Sequence, residues 1–218
     1  MTTVTISEVA RLIAATLEGR ISRRELAARA SACDAGYGRS NPFGNTTEGR
    51  AALSALWALL AADISEDLDM DRPGKPHFIR DDDLREWAAI LHKEDWSGNH
   101  PLGIRTKRLH QIATAPFAAA LLNVSPSTVC ERLGVTSLRG LDDLDYFQMV
   151  LFDDARGRQV FLDWHMRAPM PDATLYLESE VDADDTLADL LSLLDLDRSA
   201  VTWRPESPGH ETRTRFAP

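Results

Sequence analysis

Over residues 5–94 the apolar positions recur with a helical period. Ile6, Val9, Ile13 and Leu17 form one stripe at i, i+3, i+7 and i+11, and Gly19 ends the pattern. Ser22 followed three residues later by Glu25 is a capping box, and Ile21 and Leu26 stand where a hydrophobic staple needs them. That second helix is expected to reach about Cys33, ahead of the turn-rich stretch from Asp34 to Pro42. A third is predicted from Thr47 to Ala62, with Leu53, Leu56, Trp57 and Leu60 at 3–4 spacing. An acidic linker holding Pro73, Gly74 and Pro76 interrupts it, and a fourth helix starts near Asp82, carrying Leu84, Trp87, Ala88 and Leu91. Four amphipathic helices of this length predict a small bundle.

The pattern changes after Asn99-His100-Pro101-Leu102-Gly103. Residues 105–122 read as helical, with Pro116 breaking or kinking the run. Ser125 as cap and Pro126 at the first helical position open a short helix that ends at Gly134. From Leu141 onward the period falls to two. Tyr146 to Phe152 and Gln159 to His165 predict strands joined by a hairpin over Asp153 to Gly157. Ala173 to Glu180 predicts a third strand, Asp184-Asp185 caps a helix bearing Leu187, Leu190, Leu191 and Leu194, and Val201 to Trp203 returns as a short strand. The expected fold class is therefore α+β: an N-terminal small helical bundle, then a C-terminal antiparallel sheet with helices packed on one face. The expected units are residues 1–98 and 104–204, with a polar, proline-containing tail over 205–218 expected to be disordered.

Composition narrows the partners. Hydrophobic residues make up 44 % and charged residues 27 % of the chain, as in an ordinary globular protein. The formal net charge of −10, with acid exceeding base in both halves, opposes contact with nucleic acid or an anionic membrane. Cys33 and Cys130 are far apart and in no metal-ligand spacing, so two reduced thiols are expected. The amino terminus lacks the pattern of a signal peptide and no apolar run reaches membrane-spanning length, which predicts a cytoplasmic protein.

Catalytic motifs are missing. The chain has no Gly-rich phosphate loop, nucleophile elbow, HExxH or paired CxxC, so no cofactor, no metal and no enzymatic activity are expected. His92 and Asp95 sit at i, i+3, a spacing more common on a helix surface than at a metal. Asp163 and His165 alternate along a strand and share a face; they could transfer protons, but an exposed strand face is the plainer reading. Two segments imitate helix-turn-helix readers: Ser22 to Ala30, with Arg23, Arg24 and Arg29, and Ser125 to Val135. Groove binding needs a basic face, and the surroundings are acidic.

The acids crowd the exit of the third helix and the entry of the fourth: Asp63, Glu66, Asp67, Asp69, Asp71, then Asp81, Asp82 and Asp83. The helix N-terminus stabilises the last three, which accounts for them without a partner. The other account is a surface complementary to something strongly basic.

The arrangement over residues 5–94 resembles the colicin D-type immunity proteins, small helical-bundle inhibitors of a tRNA-cutting bacterial toxin. The resemblance rests on the opening amphipathic helix, the run Gly19-Arg20-Ile21-Ser22-Arg23-Arg24-Glu25-Leu26, the helix leaving through Asp63, Asp67 and Asp71, and Arg80-Asp81-Asp82-Asp83-Leu84 opening the last helix. It implies that Asp63, Asp67, Asp71, Asp81, Asp82 and Asp83 occupy the basic RNA site of a nuclease toxin. The second half has no counterpart in that single-domain family. The expected function is thus immunity by occlusion of a basic toxin, with no direct nucleic-acid or membrane contact. The competing readings are an acidic regulator or adaptor with a helix-turn-helix-like segment, and an enzyme whose site lies between the two halves.

Overall fold

The computed structural model describes residues 5–37, 47–68, 75–92, 102, 105–106, 117–141, 145–166, 172–178 and 182–205. The fold is mixed α+β. Helices α1 (Ile6–Leu17), α2 (Arg23–Tyr37), α3 (Thr47–Leu60) and α4 (Asp81–Leu91) come first. Strands β1 (Arg105–Thr106) and β2 (Phe117–Leu122), helix α5 (Pro126–Leu133), and strands β3 (Leu138–Leu141), β4 (Tyr146–Asp153), β5 (Gln159–His165) and β6 (Ala173–Leu177) follow. Helix α6 (Ala183–Leu193) and strand β7 (Val201–Trp203) close the order.

Local chemistry sets the helix starts. Thr5 Oγ1 accepts the Glu8 amide at 3.1 Å, Ser22 Oγ the Glu25 amide at 3.1 Å, and Ser125 Oγ the Thr128 amide at 3.1 Å. Each satisfies an amide that the helix itself leaves without a partner. Gly134 ends α5 at φ 63°, in the left-handed region that glycine enters without a Cβ clash.

The seven strands form one antiparallel sheet in the order β1-β4-β5-β6-β2-β7, with β3 pairing β4 beside β1. Its longest pairing among the described residues is the β4–β5 hairpin, in register from Phe147 opposite His165 to Asp153 opposite Gln159. Asp154 closes the turn by accepting from the amides of Arg156 and Arg158 at 2.9 and 2.8 Å, and Gly157 supplies the required φ of 78°.

Alternation along β4 assigns its two faces. Phe147 and Met149 join Leu138 in a core with α1–α4, built on Leu12, Ile13, Leu26, Leu56, Leu59 and Trp87. Val150 and Phe152 point the other way, into a second core with Val160, Leu162, Trp164 and Leu175 from the sheet, Val129 and Leu133 from α5, and Leu187, Leu190 and Leu191 from α6. Helices α5 and α6 thus share one face of the sheet, as expected, while the N-terminal helices cover the other, which was not expected. The N-terminal helices close against β3 and β4, so their core is shared with the second half. The expected boundary and tail lie largely outside the described residues.

Residues 105–122 correct a second expectation. Their described parts are strands β1 and β2, with no helix. Phe117-Ala-Ala-Ala-Leu-Leu pairs with β6 on one side and β7 on the other. A strand buried in mid-sheet loses its polar alternation and reads like a buried helix. Strand β3 was not expected at all.

Gly140 leaves room in β3 for a side chain of β4. It pairs with Phe147, whose ring lies across it, so a Cβ at Gly140 would meet Cε1 at 2.8 Å. Gly140→Ala should push the buried Phe147 ring out of the helical core and cost about 1–3 kcal/mol. Chemical denaturation checks this; a loss below about 0.5 kcal/mol would show that the ring moves freely.

Candidate functional site

The acids expected to meet a partner are gathered by a short antiparallel zip. The Phe78 amide donates to Ile64 O at 2.9 Å and the Glu66 amide to Pro76 O at 2.8 Å, around a bridge between Ser65 and His77. The end of α3 and the start of α4 are thereby held side by side. Asp63, Glu66 and Asp67 lie in or beside one zipped segment, and Asp81 and Asp82 open the helix that follows the other.

Their exposures differ sharply. Asp82 is open to solvent on 81 % of its side chain, with Arg85 at 2.6 Å. Asp81 is 62 % exposed and pairs with Arg23, which also donates to Ile79 O. Asp67 is exposed and accepts from Ser65 Oγ; Asp63 is half-buried. Asp71 lies outside the described residues.

Asp83 is the exception, at 1 % exposure. Its Oδ2 accepts from the Arg80 amide at 2.8 Å and Arg80 Nε at 3.0 Å, and its Oδ1 from the Arg139 amide at 3.1 Å. The bond to Asp83 holds the Arg80 guanidinium above its ordinary pKa. One helical turn on, Trp87 Nε1 donates to Arg139 O at 3.0 Å. Two α4 side chains thus grip the amide and the carbonyl of a single β3 residue. As placed, Asp83 belongs to this junction and is not presented on the surface, which corrects its expected role as a partner contact.

Arg139 completes the junction. Its guanidinium lies 5.4 Å from the centroid of the Phe78 ring, donates to Phe78 O at 3.2 Å and stands 3.5 Å from Glu66. Sequence reasoning missed it, because Leu138-Arg139-Gly140-Leu141 carries no recognisable signal. The i, i+4 spacing of Asp83 and Trp87 was visible, but not what they would hold.

Several arginines of the two reader-like helices make contacts within the fold. In α2, Arg23 serves Asp81 and Arg29 pairs with Glu25. In α5, Arg132 donates to Leu194 O beyond α6, while Val129 and Leu133 are buried.

Asp163 and His165 do share one face of β5, but Asp163 is buried at 8 % exposure. The plainer expectation of an exposed strand face is corrected there: the face adjoins the core under α1–α4, and Met149 stands opposite Asp163. Asp163 Oδ2 lies 3.2 Å from His165 Nε2, while Oδ1 is buried without a hydrogen-bond partner. Phe161 and Tyr176 stack beside them, centroids 5.2 Å apart.

Burial raises the pKa of both Cys33 and Cys130 thiols, which keeps them protonated and poor nucleophiles. Among the described residues no group of three or more metal-ligating side chains occurs, and no helix is long and apolar enough to cross a membrane.

Comparison with protein-family models, curated proteins and solved structures found no match.

The contrast between Asp82 and Asp83 is testable by stability alone. Asp83→Ala strips the Arg80 and Arg139 amides of their acceptor and should cost about 2–3 kcal/mol, lowering the melting temperature by about 4–12 °C. Asp82→Asn should change stability by less than about 1 kcal/mol. Equal losses in thermal melts of the two variants would contradict the assigned burial.

Proposed function

We propose that this protein acts by stoichiometric binding, as an immunity-type inhibitor that covers the basic nucleic-acid cleft of a nuclease toxin. The observation that carries the reading is the zipped rim, which sets Asp67 and Asp82 in solvent on adjoining segments. Asp81, Glu66 and Asp63 flank them, and Asp71 belongs to the same stretch of chain.

Most acids of the rim already face an arginine. Asp82 has Arg85, Asp81 has Arg23 and Glu66 has Arg139. Exposed pairs of this kind contribute only about 0–1 kcal/mol each. A partner's lysine or arginine that desolvates the carboxylate can therefore displace Arg85 from Asp82 at small cost. The net charge of −10 adds long-range attraction for a basic partner and repels nucleic acid. The same net acidity weighs against the alternative of a DNA-binding regulator, which needs a basic face.

Coexpression with the product of the adjacent reading frame tests the proposal, scored by growth and by integrity of cellular tRNA. Asp67→Asn and Asp82→Asn should each weaken protection, with a loss of about 2–5 kcal/mol in binding where the carboxylate becomes a buried charge pair. Full protection by the double variant, still folded, would remove the rim as the contact surface.

A further inference from the structure

Strand register sets one row of side chains across the face of the sheet that α1–α4 cover in part. Leu138, Met149, Asp163, Thr174, Leu121 and Trp203 are successive partners on β3, β4, β5, β6, β2 and β7, so all six project from the same face. Leu138 and Met149 are buried in the helical core. Phe161 and Tyr176, partners two residues along, stack beside the row. Phe161 still packs against the helical core, whereas Leu121, Tyr176 and Trp203 join neither core among the described residues. Trp203 is 46 % exposed, more than any other large hydrophobic side chain described.

A buried acid stands in the middle of this row. Asp163 is 8 % exposed; its Oδ2 has His165 Nε2 at 3.2 Å, and its Oδ1 has no hydrogen-bond partner. A carboxylate withdrawn from water with one oxygen unsatisfied is costly until a donor reaches it. Apolar side chains left together in solvent likewise mark a surface that something covers. Both features share one face, which fixes the chemistry of the occupant. It brings an N–H donor for Asp163 and apolar groups for the side chains next to it.

We propose that this face docks a segment of a partner protein, which sets a lysine or arginine against Asp163 Oδ1 and an apolar side chain against Leu121 and Trp203. Three strand spacings, about 14 Å, separate Asp163 from Trp203. That distance is about four residues of extended chain or about nine of helix, so one short segment spans it. The net charge of −10 draws a basic partner toward the surface. The inference does not rest on the acidic rim and holds or fails without it.

The test lets full-length protein select from a phage-displayed library of random peptides, and the enriched peptides are synthesised and titrated by calorimetry. They should carry a lysine or arginine together with an aromatic or aliphatic residue. Asp163→Asn and Trp203→Ser should each weaken binding at least about tenfold, as should replacing the basic residue of the peptide with methionine. Glu131→Gln, an exposed acid on α5 across the sheet, should leave binding unchanged. Circular dichroism confirms that each variant is folded; if Asp163→Asn is not, the Trp203 and peptide substitutions decide. Three results would overturn the proposal: no enrichment, binding indifferent to Asp163 and Trp203, or dimerisation that Trp203→Ser abolishes, which would make a second copy the occupant.

Discussion

Asp83 and Trp87, one turn apart on α4, hold the amide and carbonyl of Arg139 at the edge of the sheet. A strand edge otherwise presents unpaired backbone groups, which must be covered or left to water. Here a helix covers them with side chains, and the same contact fixes where the helical layer lies. Leu138, Phe147 and Met149 can enter the core of α1–α4 because α4 is anchored at β3. The anchoring carboxylate also ties the start of its own helix through the Arg80 amide. One buried charge thus serves a helix terminus and an interlayer contact together. Burying it is tolerable because each oxygen has N–H donors.

That anchor also shapes the acidic rim. Arg139 reaches from the junction to Phe78 and Glu66, and Arg23 reaches from α2 to Ile79 and Asp81. The segments around the zip are therefore held by arginines that donate to backbone carbonyls as well as to carboxylates. The acids differ less in charge than in what already occupies them. Asp83 is committed to the fold, Asp81, Asp82 and Glu66 each pair with an arginine, and Asp67 accepts from Ser65 at an exposed position. In the binding surface proposed for this rim, the inward acid supplies the framework and the outward ones the contacts.

The sheet separates two cores that use alternate residues of the same strands. The β4–β5 hairpin contributes Phe147 and Met149 to one side and Val150, Phe152, Leu162 and Trp164 to the other. Where the helical layer gives out, toward β5 and β6, its face changes from aliphatic to the mixed set of Asp163, His165, Phe161 and Tyr176. Polar groups buried at such a margin need a partner, and Asp163 Oδ2 has one in His165.

Local signals were legible wherever a residue acts on its own neighbours. The Ser22 and Ser125 caps, the Ile6-to-Leu17 stripe, the hairpin around Asp154 and Gly157, and the Leu-rich face of α6 depend on contacts within a few residues, and the structure contains each. The sequence also located the acids and the strand pair Asp163 and His165. It did not show which acid turns inward, because Asp81, Asp82 and Asp83 are chemically alike and differ only in helical phase relative to β3, more than fifty residues away. Phe117 to Leu122 was misread because burial between two strands erases the alternation that marks a strand. The short β3 carried no pattern, since its role depends on Phe147, Asp83 and Trp87 arriving from elsewhere. Periodicity determined the elements with one solvent-facing side, and only the tertiary structure decided those defined by what covers them.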